Sequence, residues 1–523
     1  MLAATRRGRV GSGATFFWRK ERRQQRNHAC FDTLASAAWI MLVIAVSRSR
    51  SFTLGFVLSI LYFVTTYLTS DTIFGPLAPY RVELILAGLI VLASLHLAIN
   101  SFILKTPQSL ALIGLAVAVF LSVLIGRRWA GGSLVAFLAF IPLAFGYFLV
   151  CLHCNSKVKL QVVVLTLLFV CLFVIAHASF DILHAGPAFT PTSPDQTYLE
   201  AQAAIEQWNV EHPYLLEMEL DSGERFYRIR GLGVINDPND FAQLTVCLVP
   251  LMFIFWRPKK AFQNTLFVIL PICILLVGVF LTHSRGALVA LAAIAIVAGR
   301  RRIGTVPAVL LGVALFSGAM ALQFTAGRDI SATAGEDRTA LWGEGLTMLK
   351  AHPAFGVGYG SFSDYSDEQL TAHNTIIVCA AELGLFGMYF WSMFLFTTAR
   401  DALAISAPMK VSEEVPVPID EPPFPRALMK SGPLDNTEII RWGRLVFLSI
   451  TGFLVAGMFL SRAFTITLFL LGGMAEVIFE MALERGMVAP RPKLPRVLWY
   501  SGCLMISLLL MMYIIVRVLK LMH

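Results

Sequence analysis

Two stretches of this 523-residue sequence hold side chains able to do chemistry. The first is Thr282-His283-Ser284-Arg285-Gly286, a very tight connection between two long apolar runs. A charge drawn into a bilayer costs at least about 2.5 to 3.5 kcal/mol, so an arginine at such a boundary faces a partner or a wet cavity, unless its stem lets it snorkel to the headgroups. The residues alone leave both readings open. The second stretch runs from Arg338 and Trp342 through His352-Pro353-Ala354-Phe355-Gly356-Val357-Gly358-Tyr359-Gly360 to Ala372-His373-Asn374-Thr375, at the mouth of another apolar run. Guanidinium groups bind phosphate oxygens through paired, charge-assisted hydrogen bonds and never lose their proton, which suits Arg285 and Arg338 to a strongly anionic ligand. Histidine titrates nearest neutrality, so His373 can serve as a general base; equally it can cap the helix that follows or hydrogen-bond a phosphate. His283, beside Arg285, is a secondary candidate. Gly356, Gly358 and Gly360 suit either a backbone cradle for phosphate or a hinge.

The elements that must position these groups are set by composition. Hydrophobic residues make up 57% and charged residues 14%, with a mean hydropathy of +0.71, so lipid is the main solvent. A helix needs about 20 apolar residues to span a bilayer core. Such runs occur near 51–69, 82–99, 108–126, 131–152, 158–179, 240–256, 263–281, 286–299, 304–323, 375–397, 444–462, 463–481 and 497–517. They lack the alternation of a barrel strand, which predicts an all-α polytopic bundle of about 12 to 14 transmembrane helices. The stretch 32–47 is also apolar but short, between an arginine-rich head and Arg48, and either spans or lies in the interface. Lysine and arginine gather at 257–260 and 300–302, and Lys157, Lys159, Arg400 to Arg444 and Arg485 to Arg496 agree with them. Cytoplasmic loops carry that excess, which puts the long segments 181–239 and 324–374 together on the opposite side. Arg127 and Arg128 dissent. The net charge of +9 is mostly this orientation signal and does not point to nucleic acid, because no folded soluble domain presents it. Cys151, His153 and Cys154 lack a second ligand pair and read as structural. Glu476 and Glu480, one turn apart, read as the cytoplasmic end of a helix rather than a proton path.

Taken in order, Ser284-Arg285-Gly286, Arg338 with Trp342, Pro353 with Gly356, Gly358 and Gly360, His373-Asn374 and Glu382-Leu383-Gly384-Leu385-Phe386-Gly387 resemble the shared domain of the bacterial O-antigen ligases and Wzy-type polysaccharide polymerases, over about 265–395. A weaker echo lies in Arg230-Gly231 and Asp237-Pro238-Asn239-Asp240. The resemblance implies a GT-C-like, metal-independent membrane glycosyltransferase of the bacterial inner membrane, with no cofactor. Such an enzyme takes a glycan from an undecaprenyl pyrophosphate carrier at the periplasmic face and passes it to lipid A core oligosaccharide or to another carrier-linked glycan. Envelope polysaccharide assembly proteins are implied as partners. With the resemblance, Arg285 and Arg338 are expected to hold the donor pyrophosphate, His373 to act as base toward the acceptor's proton or as a phosphate ligand, and Arg230, Asn239, Trp342 and Asn374 to bind substrate. Neither long loop carries an Asp-x-Asp pair; Asp237 and Asp240 read as turn and cap residues.

On this reading the chain divides into an N-terminal transmembrane bundle with a basic cytoplasmic head (1–180), a first periplasmic loop (181–239) and a ligase-like core (240–398) that includes the periplasmic loop 324–374. A Pro-rich cytoplasmic linker (399–443) and C-terminal transmembrane helices (444–523) follow; that linker and the span at 497–517 are not expected of every family member. The alternative class is a multi-span transporter, but no internal repeat and few intramembrane ionisable groups favour it. A structural scaffold would not need the set Arg285, Arg338 and His373.

Overall fold

The computed structural model describes residues 53–68, 82–99, 102–184, 207–219, 225–321, 332–407 and 435–522. The basic head, the stretch 32–47 and most of the Pro-rich linker lie outside them. Every other apolar run becomes a helix, the element in which each backbone N–H and C=O is satisfied within its own segment, as a bilayer demands. In order these are α1 (Leu54–Leu68), α2 (Val82–Ile99), α3 (Pro107–Gly126), α4 (Ala130–His153), α5 (Lys157–His184), α6 (Pro238–Phe255), α7 (Ala261–Thr282), α8 (Arg285–Ile303) and α9 (Thr305–Ala321). After the extramembrane helices α10 (Ala332–Ala351) and α11 (Phe362–Tyr365) come α12 (Thr375–Ser406), α13 (Asn436–Gly457), α14 (Ile466–Leu483) and α15 (Leu494–Met522).

Among the described residues nine helices are long and apolar enough to cross a membrane: α3 to α7 and α12 to α15. The shorter apolar helices α1, α2 and α9 accompany them, and α8 carries Arg285 and Arg300 to Arg302 at its two ends. The chain is an all-α polytopic membrane protein. One small departure is a hairpin within the first long loop, in which β1 (Leu215–Glu219) pairs antiparallel with β2 (Arg225–Ile229), Leu215 opposite Ile229. The second long loop is also structured, since α10 occupies much of it.

The bundle is arranged around α12, which packs against α3, α10, α13, α14 and α15. Close approach depends on glycine: a Cβ at Gly114 of α3 or at Gly472 of α14 would lie 2.3 Å from the rings of Phe390 and Phe394 respectively. The predicted cytoplasmic clusters meet at one end. Arg441 donates to the Trp256 carbonyl (3.0 Å), Arg301 and Arg444 to that of Ser406 (3.4 and 3.2 Å), and Lys157 pairs with Glu438. Glu476 and Glu480 lie at this same end, bound to Arg491 at 2.9 and 2.6 Å, and Arg491 also holds Asp401 of α12 at 2.8 Å. His153 bonds Ser94 at 2.8 Å, and Cys151 and Cys154 are buried, as a structural reading requires.

The dissenting Arg127 lies at the opposite end, where its guanidinium pairs with Asp364 (2.8 Å) and donates to Ser361 (3.0 Å).

Candidate active site

The site is built on a break in α12. At Gly384 the backbone leaves the helix (φ +62°, ψ −167°), a conformation glycine adopts without strain. The break frees amides and carbonyls that the segment 353–358 then satisfies: Leu385 and Phe386 N–H donate to Pro353 and Ala354, while Val357 and Gly358 N–H donate to Ala381 and Glu382. The Glu382 side chain completes the seal by accepting from Gly360 N–H (3.0 Å) and Phe362 N–H (3.2 Å). The glycine run is therefore neither an open phosphate cradle nor a free hinge. Its acceptor is internal, the side chain of Glu382, and its positive φ values at Gly356, Gly358 and Gly360 serve this inward turn.

Sealing this loop onto α12 fixes the segment that leads into the helix. Asn374 is fully buried and caps α12, its Oδ1 accepting from Ile376 and Ile377 N–H (3.0 and 3.1 Å) while its Nδ2 donates to Met458 O (3.3 Å). The cap is thus Asn374 and not its neighbour, so the His373 imidazole is not consumed by capping. His373 is half-buried with φ +47°, and its N–H donates to Ser461 Oγ at 2.8 Å. On the other side Trp342 of α10 donates its indole N–H to the Ala372 carbonyl (2.8 Å), so the helix that carries Arg338 is tied to the residue before His373.

Arg338 lies near this histidine, Arg285 near Arg338, and Arg228 near Arg285. Arg338 is exposed as a residue, yet partial burial of its guanidinium and the proximity of Arg285 hold it below the ordinary arginine value. Arg228 of β2 is buried and is lowered in turn, by burial first and then by Arg285, with Asp237 opposing. His373 is held below its ordinary value by burial and by Arg338, again with Asp237 opposing. Arg338 thus links His373 to Arg285, and Arg285 links Arg338 to Arg228, in a run of positive charge that Asp237 partly offsets.

Arg228 also fixes the geometry there. It donates to the Thr282 carbonyl at the end of α7 (2.8 Å) and to Asn239 Oδ1 (3.0 Å), which joins the hairpin to the α7–α8 connection and to the start of α6. Of the sequence-derived substrate residues, Asn239 is thus engaged by Arg228. Arg230 donates to Pro213 O (3.0 Å) and Asn209 (3.3 Å) at the base of the hairpin. Asp237 caps α6 as expected, accepting from Asn239 N–H (2.7 Å). Asp240 does not cap; it pairs with Arg462 at 2.6 Å.

Reading the sequence missed Arg228 and Arg462 as parts of this region, and placed Glu382 in a family motif without a role. Arg228 had a faint signal as the other half of Arg228-Ile229-Arg230. Arg462 sits between two spans, where it reads as a boundary residue, and the role of Glu382 needs the fold that brings Gly360 to it.

A run of basic groups of this kind suits a polyanion held beside a group able to accept a proton. Residues 270–392, about a quarter of the chain, match the family model described as O-antigen ligase. That stretch runs from α7 to the middle of α12 and includes Arg285, Arg338, Trp342, His373 and Asn374. No curated protein matches the chain.

Proposed function

From the O-antigen ligase domain over residues 270–392, whose chemistry is membrane-borne glycan transfer, we propose that this protein moves a glycan from an undecaprenyl pyrophosphate carrier to a sugar hydroxyl at the periplasmic face of the bacterial inner membrane. The observation that carries the reading is the run from Arg285 to Arg338 to His373 at the end of the bundle opposite the basic clusters. The acceptor oxygen attacks the anomeric carbon, the bond from that carbon to the pyrophosphate oxygen breaks, and the acceptor's proton passes to the His373 imidazole. Charge grows on the departing carrier pyrophosphate, where Arg285 and Arg338 stand ready. Each prepositioned donor of this type lowers a barrier by about 2.7 to 4 kcal/mol. The arginines supply what a bound cation would supply elsewhere, so the transfer proceeds without a metal. Trp342 and Asn374 hold the His373 segment in place, while Arg230 and Asn239 hold the hairpin side. The acceptor is lipid A core oligosaccharide or a second carrier-linked glycan, both of which offer the same attacking group.

The test uses purified protein in EDTA with a lipid pyrophosphate glycan and candidate acceptors. His373→Ala and His373→Gln are each expected to lose about 10² to 10⁴ in rate while still binding carrier lipid. Arg338→Lys is expected to be impaired as well, because a point charge does not reproduce the guanidinium fork. Wild-type turnover by His373→Gln would make the histidine a phosphate ligand, and loss of wild-type transfer in EDTA would end the metal-free mechanism.

A further inference from the structure

The helix α10 presents three flanks, and the site uses one of them. With 3.6 residues per turn, Arg338 and Trp342 lie on one side, which the bond from Trp342 to Ala372 turns toward His373. A second flank, adjoining the first, is packed: a Cβ at Gly345 would lie 2.3 Å from Ile377 and 2.9 Å from the Phe362 ring, Leu341 is buried beside it, and Met348 lies at its border with the cleft described next. The third flank, opposite Arg338, walls a cleft of about 530 Å³ formed with the 352–367 segment. Gly343, Glu344 and Thr347 of α10 face His352, Tyr365 and Asp367 across it. The volume falls within the range of about 300 to 1,000 Å³ usual for small-ligand sites.

We propose that this cleft is a subsite for a neutral sugar residue of a glycan substrate. The inference rests on the glycan transfer proposed above and extends it to what recognises the glycan itself. Tyr365 is 46% exposed, so it offers an aromatic face to a pyranose, whose C–H face is apolar while its edge carries hydroxyls. One carboxylate oxygen of Glu344 is buried and has no hydrogen-bond partner among the described residues. An unsatisfied acceptor of that kind is costly, and the other carboxylate oxygen, which is not among the buried atoms, can accept a sugar hydroxyl with a charge-assisted bond. Thr347 and His352 add a hydroxyl and an imidazole at the rim. Glu344 and Asp367 repel phosphate and acidic sugars, so the cleft complements the arginine flank rather than duplicating it. These groups form no cluster of three able to hold a metal ion among the described residues. A helix with its side chains is about 10 to 12 Å across, so a sugar here sits about one helix diameter from the pyrophosphate position. It is therefore a residue beyond the reacting one, in the donor glycan or in the acceptor.

The experiment measures binding to the full-length protein in detergent by titration calorimetry. Three probes are used: the oligosaccharide that mild acid releases from the lipid carriers of cells that make the protein, the delipidated acceptor saccharide of those cells, and undecaprenyl pyrophosphate bearing no sugar. Wild type is expected to bind one of the two saccharides, and which one identifies the source. Tyr365→Ala and Glu344→Gln are expected to weaken that saccharide at least about tenfold, close to 1.4 kcal/mol, with no change toward the bare lipid pyrophosphate. Tyr365→Phe keeps the ring and is expected to bind as wild type, which separates stacking from loss of fold. Variants that bind the saccharide unchanged, or a wild type that binds neither saccharide, would overturn the subsite. Failure of wild type to bind the bare lipid pyrophosphate would instead strike the donor site at Arg285 and Arg338.

Discussion

His373 adopts a left-handed backbone conformation at φ +47°, in which histidine is less costly than most side chains, and it is held there by the bond from its N–H to Ser461 and by the cap on Asn374. Its imidazole sits below the ordinary value of about 6.5 because burial disfavours the charged form and Arg338 repels it. A base must be neutral to accept a proton, so this lowering widens the range over which His373 is competent. The acid limb of the pH profile of kcat/KM is expected below pH 6.5. Removing the Arg338 charge raises the His373 pKa, so the residual activity of Arg338→Gln is expected to show its acid limb at higher pH than wild type. An acid limb that stays in place or moves down would separate Arg338 from His373. A profile fixed by some other group would not respond to Arg338 at all.

At the scale of elements, the break in α12 and the glycine loop form one unit held by Glu382. Replacing Glu382 by glutamine turns one of its two acceptor oxygens into a donor that faces a buried backbone N–H. The expected loss is about 1 to 3 kcal/mol, read as a lower thermal midpoint in detergent. Gly356 has φ +70°, and a Cβ there would lie 2.4 Å from the Glu382 backbone, so Gly356→Ala is expected to be at least as damaging. An unchanged midpoint in both would mean that the loop is not tied to α12 in solution. Because α10 and His373 both depend on this unit, either substitution is expected to lower the turnover rate as well as the midpoint.

For the whole molecule, the basic clusters around Trp256 and Ser406 lie at one end of the bundle and the candidate site at the other. Single cysteines at Glu211 and Asp367 are expected to react with a membrane-impermeant thiol reagent from the periplasmic side, and cysteines at Lys259 and Arg302 only after the membrane is opened. The reverse pattern would place the candidate site on the wrong side of the membrane. At the basic end, Arg491 holds Asp401, Glu476 and Glu480 together, with Gln108 (2.7 Å) and Arg400 also bound to Asp401. Arg491→Ala leaves buried carboxylates without their main partner and is expected to cost about 3 to 5 kcal/mol of stability, seen as loss of folded protein on extraction. It is expected to leave carrier binding by the surviving fraction intact, since the arginines of the candidate site lie at the other end.

How much of this was legible in the sequence follows from the range of the forces involved. Hydropathy is local, so the apolar run 158–179 announced α5 and 375–397 announced α12 without reference to any neighbour. The basic clusters likewise gave the shared end at which Arg441 reaches Trp256. The order of short motifs from Arg285 to Glu382 led to about 265–395, close to the matched 270–392. What the sequence did not determine depends on residues far apart in the chain. The hairpin that brings Arg228 to Thr282, the bond from Trp342 to Ala372, and the pairing of Asp240 with Arg462 each need two elements docked. The glycines at 356, 358 and 360 offered backbone freedom on their own, and only the packing of the loop against α12 decided that Glu382, rather than a substrate phosphate, would fill the turn.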